Sequence, residues 1–520
     1  MTKRVLRGTG WRSAFVERLG PAGMTETGFC GTAQLPYFWQ LFHQIVSAVR
    51  SYLPSELLSS LEGVKGFDAA AFERVHASGE QVTSIRLNPA KLPAMVAADG
   101  RGSAPGFDWP GSVAPGRVPW SGLGYYLGER PSFTFDPLFH AGTYYVQEAS
   151  GMFLEQVLQQ TTDLDRPLRV LDLCAAPGGK STLIQSVLSD KSLLVSNEVI
   201  RSRVSILEEN MVKWGGDNVI ITNNDPRDFQ RMENYFDVIM VDAPCSGSGL
   251  FRREPEAVGE WSIENVQICQ QRQQRILAHC WPALKQGGIL IYSTCSYSKQ
   301  ENEDILDWMT EQLQATSCRL RTDEEWNIVE TIGEKGGYGY RFYPDKLKGE
   351  GFFIACVRKE EGGAFSYPKS KKPAPERLTR AEEGQIRGWI RPEARVTFFR
   401  HNGQAYALPE HLMEDLIYIQ ASCYLKKAGI LAGTPAAREF IPEHDLAMSC
   451  LISKDVPVAG LSREQAIQYL RKEEIRIEAD RKGWSLVQYE GQNLGWIKVL
   501  SNRINNYYPK ELRILKRGSE

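Results

Sequence analysis

Short apolar runs alternate with helical patterns through the middle of the chain. The run from Leu168 to Leu173 has the length of a buried strand, and the apolar residues between Leu183 and Leu188 then recur at helical spacing. Further strand-length apolar runs follow at residues 193–195, 219–221, 236–241 and 289–292. Another helical pattern spans residues 263–284. This alternation predicts an open α/β sheet.

The loop between the first strand and its helix is rich in glycine. Gly178 and Gly179 allow the backbone to approach a ligand closely, and the following helix N-terminus offers unpaired N–H groups to an anionic group. Gly179-Lys180-Ser181 resembles the end of a phosphate-binding P-loop, but that loop requires a glycine where Cys174 stands. We therefore favour a nucleotide-like cofactor over an NTPase, and an ordinary tight turn is the remaining alternative.

Three successive strands of the predicted sheet end in a carboxylate, namely Glu198, Asp225 and Asp242. A Rossmann-like site places an acidic residue roughly 20 residues beyond the glycine loop, where it accepts hydrogen bonds from ribose hydroxyls. Ligands of open α/β sheets bind at the carboxyl ends of the strands. The repetition therefore favours a cofactor site over an ordinary turn.

Two cysteines, Cys245 and Cys295, follow two of the predicted strands. Cys245 comes directly after Asp242-Ala243-Pro244, and Cys295 lies just beyond the run at 289–292. A single cysteine after a strand is usually part of the core. Two thiols on loops at one crevice, one of them close in sequence to a carboxylate, favour a catalytic role over packing in the core.

The flanking regions predict separate domains. Residues 1–34 lack the apolar core of a secretory signal, so we expect a disordered tail or an over-long start. Helical patterning up to Leu61 and a strand at Thr83–Leu87 predict an N-terminal domain over residues 35–125, with a long loop at 97–122. Aromatic residues are dense from 119 to 145, either as stacking platforms for unpaired bases or as a hydrophobic hinge.

The C-terminal region begins with a stretch rich in glycine, proline and lysine at residues 361–376, which predicts a linker. Ser462 and Gln465 have the spacing of a capping box and predict a helix start. Residues 481–520 hold eight Lys or Arg against three Asp or Glu, mixed with aromatic and amide side chains. Such a mixture suits RNA contacts, although a solvated basic surface is the alternative.

Composition narrows the function classes. The 520 residues carry a net charge of −2, so the chain has no general attraction for polyanions and any nucleic-acid binding must come from local patches. No apolar run approaches the length of a membrane span. The ten cysteines include no Cys-x-x-Cys pair, so we expect neither a metal site nor a disulfide framework, and a reducing cytoplasm fits best.

Three motifs together resemble the RNA cytosine-5 methyltransferases of the Sun/nucleolar-protein family. They are the segments 172–180, 242–249 and 292–297, the last followed by Glu301-Asn302-Glu303, with further likeness at 84–89 and 135–150. The resemblance covers roughly residues 35–360. It implies a class I (Rossmann-like) S-adenosylmethionine-dependent α/β methyltransferase sheet over 126–360, an N-terminal α+β RNA-binding domain and, over 377–520, a PUA-like β-rich module.

The overall length and the C-terminal module most resemble the bacterial branch of that family that acts on ribosomal RNA of the small subunit. The resemblance thus implies ribosomal RNA or the small subunit as partner, with transfer RNA as the rival substrate. A rival of another class is an RNA-binding assembly factor without activity. We expect a monomer that binds no membrane.

The same resemblance implies roles for individual residues. Cys295 would add to carbon-6 of cytosine, Cys245 would assist product release, and Asp242 would contact the N3 edge of the base and border the cofactor. Glu198 would hold the ribose of S-adenosylmethionine and Asp225 its adenine. The loop at the methionine end of the cofactor consists of Cys174, Ala175, Ala176, Pro177, Gly178, Gly179 and Lys180. Lys180 orients groups in the active site or lies in solvent at the start of the helix.

Overall fold

The computed structural model describes residues 53–91, 116–368, 374–437, 439–477 and 481–518. The predictions for residues 1–34, for the helical pattern before residue 53 and for most of the loop at 97–122 lie outside these ranges. None of the helices in the described ranges combines the length and the apolar character that a membrane span requires.

The first part of the described chain is a small antiparallel sheet with short helices. Its elements are α1 (Ser55–Leu61), α2 (Ala69–Ala77), β1 (Thr83–Leu87), β2 (Gly116–Arg117), β3 (Gly124–Leu127), α3 (Pro137–Ala141) and β4 (Tyr144–Val146). The strand order is β2-β3-β1-β4, so the sheet extends to residue 146. The predicted domain boundary at 125/126 is therefore wrong. It would separate Tyr125 from Tyr126, two buried neighbours within strand β3.

The middle of the chain forms the large sheet. Its elements are α4 (Leu154–Thr161), β5 (Arg169–Asp172), α5 (Gly179–Val187), β6 (Leu193–Asn197), α6 (Arg201–Trp214), β7 (Val219–Thr222), β8 (Phe236–Asp242), α7 (Ile263–Cys280), β9 (Leu284–Thr294), α8 (Glu303–Gln312), β10 (Thr316–Ser317), β11 (Val329–Ile332), β12 (Tyr338–Phe342) and β13 (Phe352–Arg358). Short 3-10 helices occur at Phe133–Phe135, Ser150–Phe153, Pro226–Arg231, Ser248–Leu250, Pro255–Glu260, Trp281–Ala283, Lys299–Glu301, Glu324–Trp326 and Glu410–Leu412.

The strands predicted from the apolar runs are all present in this sheet. Strands β9, β8, β5, β6 and β7 lie side by side and are parallel, whereas β11, β12 and β13 extend the sheet antiparallel beyond β9. The helix predicted for 263–284 ends earlier, at Cys280, because Pro282 cannot continue an α-helix. The strand predicted at 289–292 accordingly begins already at Leu284 and contains Gly287 and Gly288.

Both faces of the large sheet are buried. Successive side chains along β5 point to opposite faces of the sheet. Leu171 and Leu173, the residue after the strand, belong to one hydrophobic cluster, and Val170 belongs to the other. A parallel sheet covered on both faces buries most of its side chains, which is why its strands appear in the sequence as mainly apolar runs.

The C-terminal region contains two further sheets instead of the single module predicted for 377–520. The elements of the first are β14 (Glu376–Arg377), α9 (Arg380–Arg387), β15 (Val396–His401), β16 (Gln404–Pro409), α10 (Met413–Ser422), β17 (Leu425–Ala428), β18 (Ile430–Pro435), β19 (Phe440–Pro442) and α11 (His444–Met448). Those of the second are β20 (Val458–Gly460), α12 (Arg463–Leu470), β21 (Gly483–Tyr489), β22 (Gln492–Val499) and β23 (Ile504–Asn506). The predicted capping box of Ser462 and Gln465 is present at the start of α12.

One C-terminal strand belongs to the large sheet. Strand β17 pairs antiparallel with β7 and covers that edge of the sheet. The attachment is reinforced by Asp415 of α10, whose Oδ1 atom accepts hydrogen bonds from Arg169 Nε at 2.7 Å, Tyr235 OH at 2.6 Å and Tyr367 OH at 2.8 Å. Tyr367 comes from the predicted linker, so this part of the linker packs against the large sheet.

Candidate active site

The predicted functional residues meet where the parallel strands end. In the register of the sheet, Asp172 of β5 lies beside Ser196 of β6 and Met240 of β8, and Asp242 lies beside Ser293 of β9. The parallel arrangement therefore brings the glycine loop and both cysteine loops to one edge, as ligand sites in open α/β sheets require.

The glycine loop joins β5 to α5 and is held by side chains of α6. Gly178 is the N-cap of α5 and has a φ of +114°, a backbone conformation that favours glycine. The Ala176–Pro177 peptide bond is cis. Arg203 Nη2 donates to the carbonyl of Ala176 at 2.6 Å, and Asn210 Nδ2 donates to the carbonyl of Pro177 at 2.8 Å. These two hydrogen bonds from α6 fix the conformation of the turn.

The residues at the start of the loop are largely buried. Ala175 and Ala176 are buried, and the half-buried Cys174 packs against a hydrophobic cluster, where burial raises the pKa of its thiol. The buried Asp172 accepts a hydrogen bond from Ser181 Oγ at 2.6 Å, whereas its Oδ1 atom has no hydrogen-bond partner among the described residues. Burial raises the pKa of Asp172 to about 7. An unpartnered buried carboxyl oxygen fits a site for a positively charged ligand.

The two predicted cofactor carboxylates differ in exposure. Glu198 is buried and accepts a hydrogen bond from the N–H of Ile200 at 2.8 Å, whereas Asp225 is exposed and caps a 3-10 helix through the N–H of Arg227 at 3.0 Å. The sequence interpretation missed Asn197, which donates to the carbonyl oxygens of Leu173 and Asn224 and so ties three strand ends together. Its position directly before Glu198 is the only sequence signal for it.

Lys180 and Asp242 form an ion pair inside the site. Lys180 Nζ lies 2.7 Å from Asp242 Oδ2 and 5.2 Å from the ring centroid of Phe352. The lysine side chain is only 16% exposed, so it does not extend into solvent. Burial lowers the pKa of Lys180, but the adjacent carboxylate of Asp242 outweighs burial and the net shift is upward. Ser293, which the sequence interpretation missed, donates from Oγ to Asp242 Oδ1 at 2.6 Å.

The two site cysteines face each other. The Sγ atoms of Cys245 and Cys295 lie 3.0 Å apart. The hydrogen bond to Cys295 raises the pKa of Cys245 well above its usual value, and burial and the negative charge of Glu301 add to this increase. The carbonyl of Cys295 also accepts a hydrogen bond from the N–H of Gly249 at 2.8 Å, which joins the two cysteine loops.

Beneath the thiols, one buried carboxylate binds both loops. Glu301 Oε1 accepts hydrogen bonds from the N–H of Ser246 at 2.9 Å and from Gln273 Nε2 at 3.0 Å. Its Oε2 atom accepts from Ser246 Oγ at 2.5 Å and from Ser296 Oγ at 2.6 Å. Burial raises the pKa of Glu301, and these donors oppose the increase. Four donors saturate a carboxylate, so Glu301 fixes the residues that follow both cysteines.

The next two residues support the Cys295 loop. Asn302 Nδ2 donates to the carbonyl of Ser296 at 2.8 Å. Glu303 forms a buried two-point contact with Arg341, whose Nη1 donates to the carbonyl of Tyr297 at 2.7 Å. The sequence motif at 301–303 thus serves as the support of the thiol loop, a role that the sequence alone did not reveal.

The N-terminal sheet contacts α5, the helix that follows the glycine loop, through Arg86. Its buried guanidinium donates to Gln147 Oε1 at 2.8 Å, to Thr182 Oγ1 at 2.6 Å and to Ser186 Oγ at 3.1 Å. Two of these acceptors lie on α5. The sequence signal for this contact is a charged residue between the apolar Ile85 and Leu87 of β1.

Family models match three parts of the chain. The model for 16S rRNA methyltransferase RsmB/F matches residues 159–358, that for the N-terminal domain of 16S rRNA methyltransferase RsmF matches 53–149, and that for the methyltransferase RsmF PUA domain matches 456–514. The PUA match therefore corresponds to the second C-terminal sheet alone.

Curated relatives match along most of the chain. Ribosomal RNA small subunit methyltransferase F of Aliivibrio fischeri (strain MJ11) is 30% identical over 413 residues, which cover 76% of this chain and 85% of the relative. The protein of the same name from Vibrio atlanticus (strain LGP32) is 28% identical over 488 residues, or 89% and 98% of the two chains. The crystal structure of PH0851 superimposes with a TM-score of 0.50 at 24% identity over 62% of this chain and 72% of that one, which indicates a common fold.

Proposed function

This chain belongs to the 16S rRNA methyltransferase RsmB/F family, and from that premise we propose that it methylates carbon-5 of a cytosine in RNA through a covalent cysteine adduct. RNA methylation with S-adenosylmethionine as cofactor is the activity of the family. The atom that receives the methyl group and the role of the thiols are the proposal. The observation that carries it is the 3.0 Å separation of the Cys245 and Cys295 thiols, which lie on the loops that follow β8 and β9.

Carbon-5 of cytosine is a poor nucleophile, which explains the need for a thiol. When the thiolate of Cys295 bonds to carbon-6, the electrons of the C5–C6 double bond become available at carbon-5. S-adenosylmethionine, when bound, supplies an electrophilic methyl group to carbon-5. We assign to Cys245 the removal of the proton from carbon-5; the electrons of that C–H bond restore the C5–C6 double bond, and the bond between carbon-6 and Cys295 breaks to release the Cys295 thiolate. A thiolate is both a good nucleophile and a good leaving group, so the cycle closes.

We propose different roles for the two thiols, one in the attack on the base and the other in the release of the product. The hydrogen bond to Cys295, burial and the charge of Glu301 all raise the pKa of Cys245. We assign the attack on carbon-6 to Cys295, as the family resemblance implies. We assign Cys245, whose sulfur lies beside the bond that must break, to the release of the product.

Asp242 and its partners bind the base in this proposal. The Asp242 side chain is 36% exposed, and Lys180 and Ser293 fix its orientation. A carboxylate fixed in this way can accept a hydrogen bond from a ring protonated at N3, a form that becomes more favourable as the thiol adds. Because Lys180 and Ser293 already hold the carboxylate, little reorganisation is required when the base arrives.

The site residues fit S-adenosylmethionine, which carries a sulfonium and an ammonium group. The buried Oδ1 atom of Asp172 lacks a partner among the described residues, and a carboxylate there suits a cationic ligand. We propose that the loop 174–180 holds the methionine end and that Glu198 holds the ribose. Asp225 would lie against the adenine.

We propose small-subunit ribosomal RNA as the substrate, because the curated relatives carry that substrate in their names. A paired cytosine hides carbon-6 within the stack, so the target must be unpaired or flipped out. Transfer RNA is the alternative that the experiment must distinguish.

The test is methyl transfer from labelled S-adenosylmethionine by the purified full chain. Small-subunit RNA, assembled small subunits and transfer RNA are compared as acceptors, and the labelled nucleoside is identified by mass spectrometry. We expect 5-methylcytosine in the ribosomal substrate and a loss of about 10³-fold or more in Cys295→Ala. The control Cys318→Ala removes a half-buried cysteine outside the site.

Each alternative outcome overturns a defined part of the proposal. Label on a different atom of the nucleotide would refute carbon-5 methylation, and full activity of Cys295→Ala would refute its role as nucleophile. Label confined to transfer RNA would leave the chemistry intact and refute the substrate.

A further inference from the structure

A cleft beside the candidate active site combines cations with aromatic rings. Its volume is about 650 Å³, within the range of about 300–1,000 Å³ that is common for ligand pockets. The residues that carry the argument are Arg130, Phe133, Phe139, Tyr145, Arg253 and Lys516. None of the described residues that line the cleft is Asp or Glu. The cleft therefore attracts an anion and offers it apolar ring surface.

The cleft shares a wall with the cofactor loop. Tyr145 lies so close to Gly179 that a Cβ atom at this glycine would approach the Tyr145 ring to 3.3 Å. Asn210, another lining residue, donates from Nδ2 to the carbonyl of Pro177 at 2.8 Å. A ligand in the cleft would thus lie next to the loop that binds the cofactor.

The cleft is also connected to the cysteine loops. Arg253 belongs to the turn that follows the Cys245 loop, where its N–H donates to the carbonyl of Leu250 at 2.8 Å. Arg130 and Arg253 also line a second, narrower cavity that reaches Glu350. The N–H of the neighbouring Gly351 donates to the carbonyl of Gly249. Arg253 therefore links the cleft to the segment that carries Cys245.

The aromatic residues of the cleft are only partly buried. The rings of Phe133 and Phe139 lie 6.2 Å apart at an interplanar angle of 40°, and each lies 6.0 Å from the ring of the buried Tyr144. The guanidinium of Arg130 lies 5.6 Å from the Phe133 ring centroid. Half-exposed rings beside exposed cations are the combination that binds unpaired bases and their phosphates.

We propose that this cleft binds a nucleotide that flanks the target base in single-stranded RNA. The phosphate lies between Arg130, Arg253 and Lys516, and the base stacks on Phe133. A flipped target base requires that its neighbours in the strand be held, and the cleft is near enough to the catalytic loops to hold one. The proposal rests on RNA as the substrate and is independent of which atom is methylated.

The three cations come from distant parts of the chain. Arg130 follows the strand β3 of the N-terminal sheet, Arg253 follows the Cys245 loop, and Lys516 lies near the C-terminus. The cleft therefore exists only when all three parts fold together. The full chain is the appropriate material for its test.

The test is equilibrium binding of a fluorescent single-stranded RNA of about twelve nucleotides, with a central cytosine, measured without turnover over a range of salt concentrations. We expect the combined variant Arg130→Ala, Arg253→Ala and Lys516→Ala to lower the affinity by about tenfold or more. The slope of log Kd against log salt should fall by about 0.7 for each phosphate that the variant no longer neutralises. Arg321→Ala removes an exposed arginine outside the cleft and serves as the control.

A second variant tests the stacking contact separately. Phe133→Leu retains apolar packing against Tyr144 but removes the aromatic face, so we expect the affinity for single-stranded RNA to fall about fivefold or more. The affinity for a duplex of the same sequence should not change. The thermal shift caused by S-adenosylmethionine reports folding of each variant.

Unchanged Kd and salt slope in the combined variant would overturn the proposal. An equal loss of affinity for the single strand and the duplex in Phe133→Leu would refute the stacking contact. Because methyl transfer is not measured, failure here is distinguishable from failure of the cytosine-5 chemistry, which the mass-spectrometric identification of the product tests.

Discussion

Ser246 and Ser296 donate to the same carboxylate oxygen, Glu301 Oε2, at 2.5 Å and 2.6 Å. Each serine directly follows one of the two site cysteines. Because a shared acceptor fixes the two hydroxyl groups relative to each other, it also fixes the spacing of the thiols. Glu301 is therefore a positioning residue for the thiol pair.

Glu301→Gln should reduce the rate while leaving cofactor affinity unchanged. A glutamine offers one acceptor oxygen and an NH₂ donor, so some of the four donors around residue 301 would face another donor. Leaving such groups unsatisfied costs about 1–3 kcal/mol, and we expect a similar loss in the free energy of unfolding. The value of kcat should fall by about tenfold or more, because the thiols lose their alignment.

The experiment combines denaturant unfolding, steady-state kinetics and titration of S-adenosylmethionine. Glu256→Gln makes the same chemical change at an exposed position and should alter none of the three. If Glu301→Gln lost stability but retained the wild-type kcat, Glu301 would be a structural residue only.

Ser293→Ala should slow the reaction without weakening cofactor binding. The change removes the 2.6 Å hydrogen bond from Ser293 Oγ to Asp242 and leaves that carboxylate with Lys180 as its remaining partner. We expect kcat to fall by about tenfold, equivalent to about 1.4 kcal/mol in the barrier. Ser205→Ala, an exposed serine on α6, should retain full activity. An unchanged kcat in Ser293→Ala would show that Asp242 needs no second partner.

Cys245→Ala should trap the enzyme on its RNA. If Cys245 releases the product, the variant still forms the bond between Cys295 and carbon-6 but breaks it slowly. We expect a protein–RNA adduct that survives denaturing electrophoresis and that disappears when Cys295→Ala is added to Cys245→Ala. Normal turnover of Cys245→Ala without any adduct would contradict the release role.

Asp172 should make the stability of the protein depend on pH. Its pKa is raised from 3.8 to about 7 in the folded state, so the folded protein binds this proton more tightly than the unfolded chain. Stability from this group is therefore present at low pH and is lost as the pH rises from about 4 to about 7. The loss amounts to at most about 4 kcal/mol.

The measurement compares the free energy of unfolding of wild type and Asp172→Asn at pH values from about 4.5 to 8. The difference should shift in favour of the variant as the pH rises and level off above about pH 7. Asp190→Asn, at an exposed position, controls for the loss of a carboxyl group. A difference that does not vary with pH would show that Asp172 ionises as in the unfolded chain.

The central sheet could be predicted from the sequence because its strands are buried on both faces. Strands such as β5 and β8 therefore appear as short segments in which apolar residues predominate, and the loops after them hold Gly178 and Cys245 at positions that are easy to recognise. The family resemblance supplied the assignment of Cys295, which spacing alone left open. Local patterns were sufficient here because each signal lies within one segment.

The support of the thiols could not be predicted in the same way. The donors to Glu301 come from Gln273, Ser246 and Ser296, and the fold alone brings these residues together. Strand β17 presents the same difficulty, because Leu425-Lys426-Lys427-Ala428 has little apolar character and its partner β7 lies some 200 residues earlier in the chain. Contacts between residues that are far apart in the sequence leave no local pattern from which they could be predicted.

The pairing of β17 with β7 means that the catalytic sheet is encoded in two separate stretches of the gene. A chain that stopped at residue 360 would expose the hydrogen-bonding edge of β7, and such edges recruit strands from other molecules and aggregate. It would also uncover Tyr235, which packs against Phe365 and Tyr418. An RNA-binding module from another protein could replace this C-terminal region only if it supplied a strand of its own to the methyltransferase.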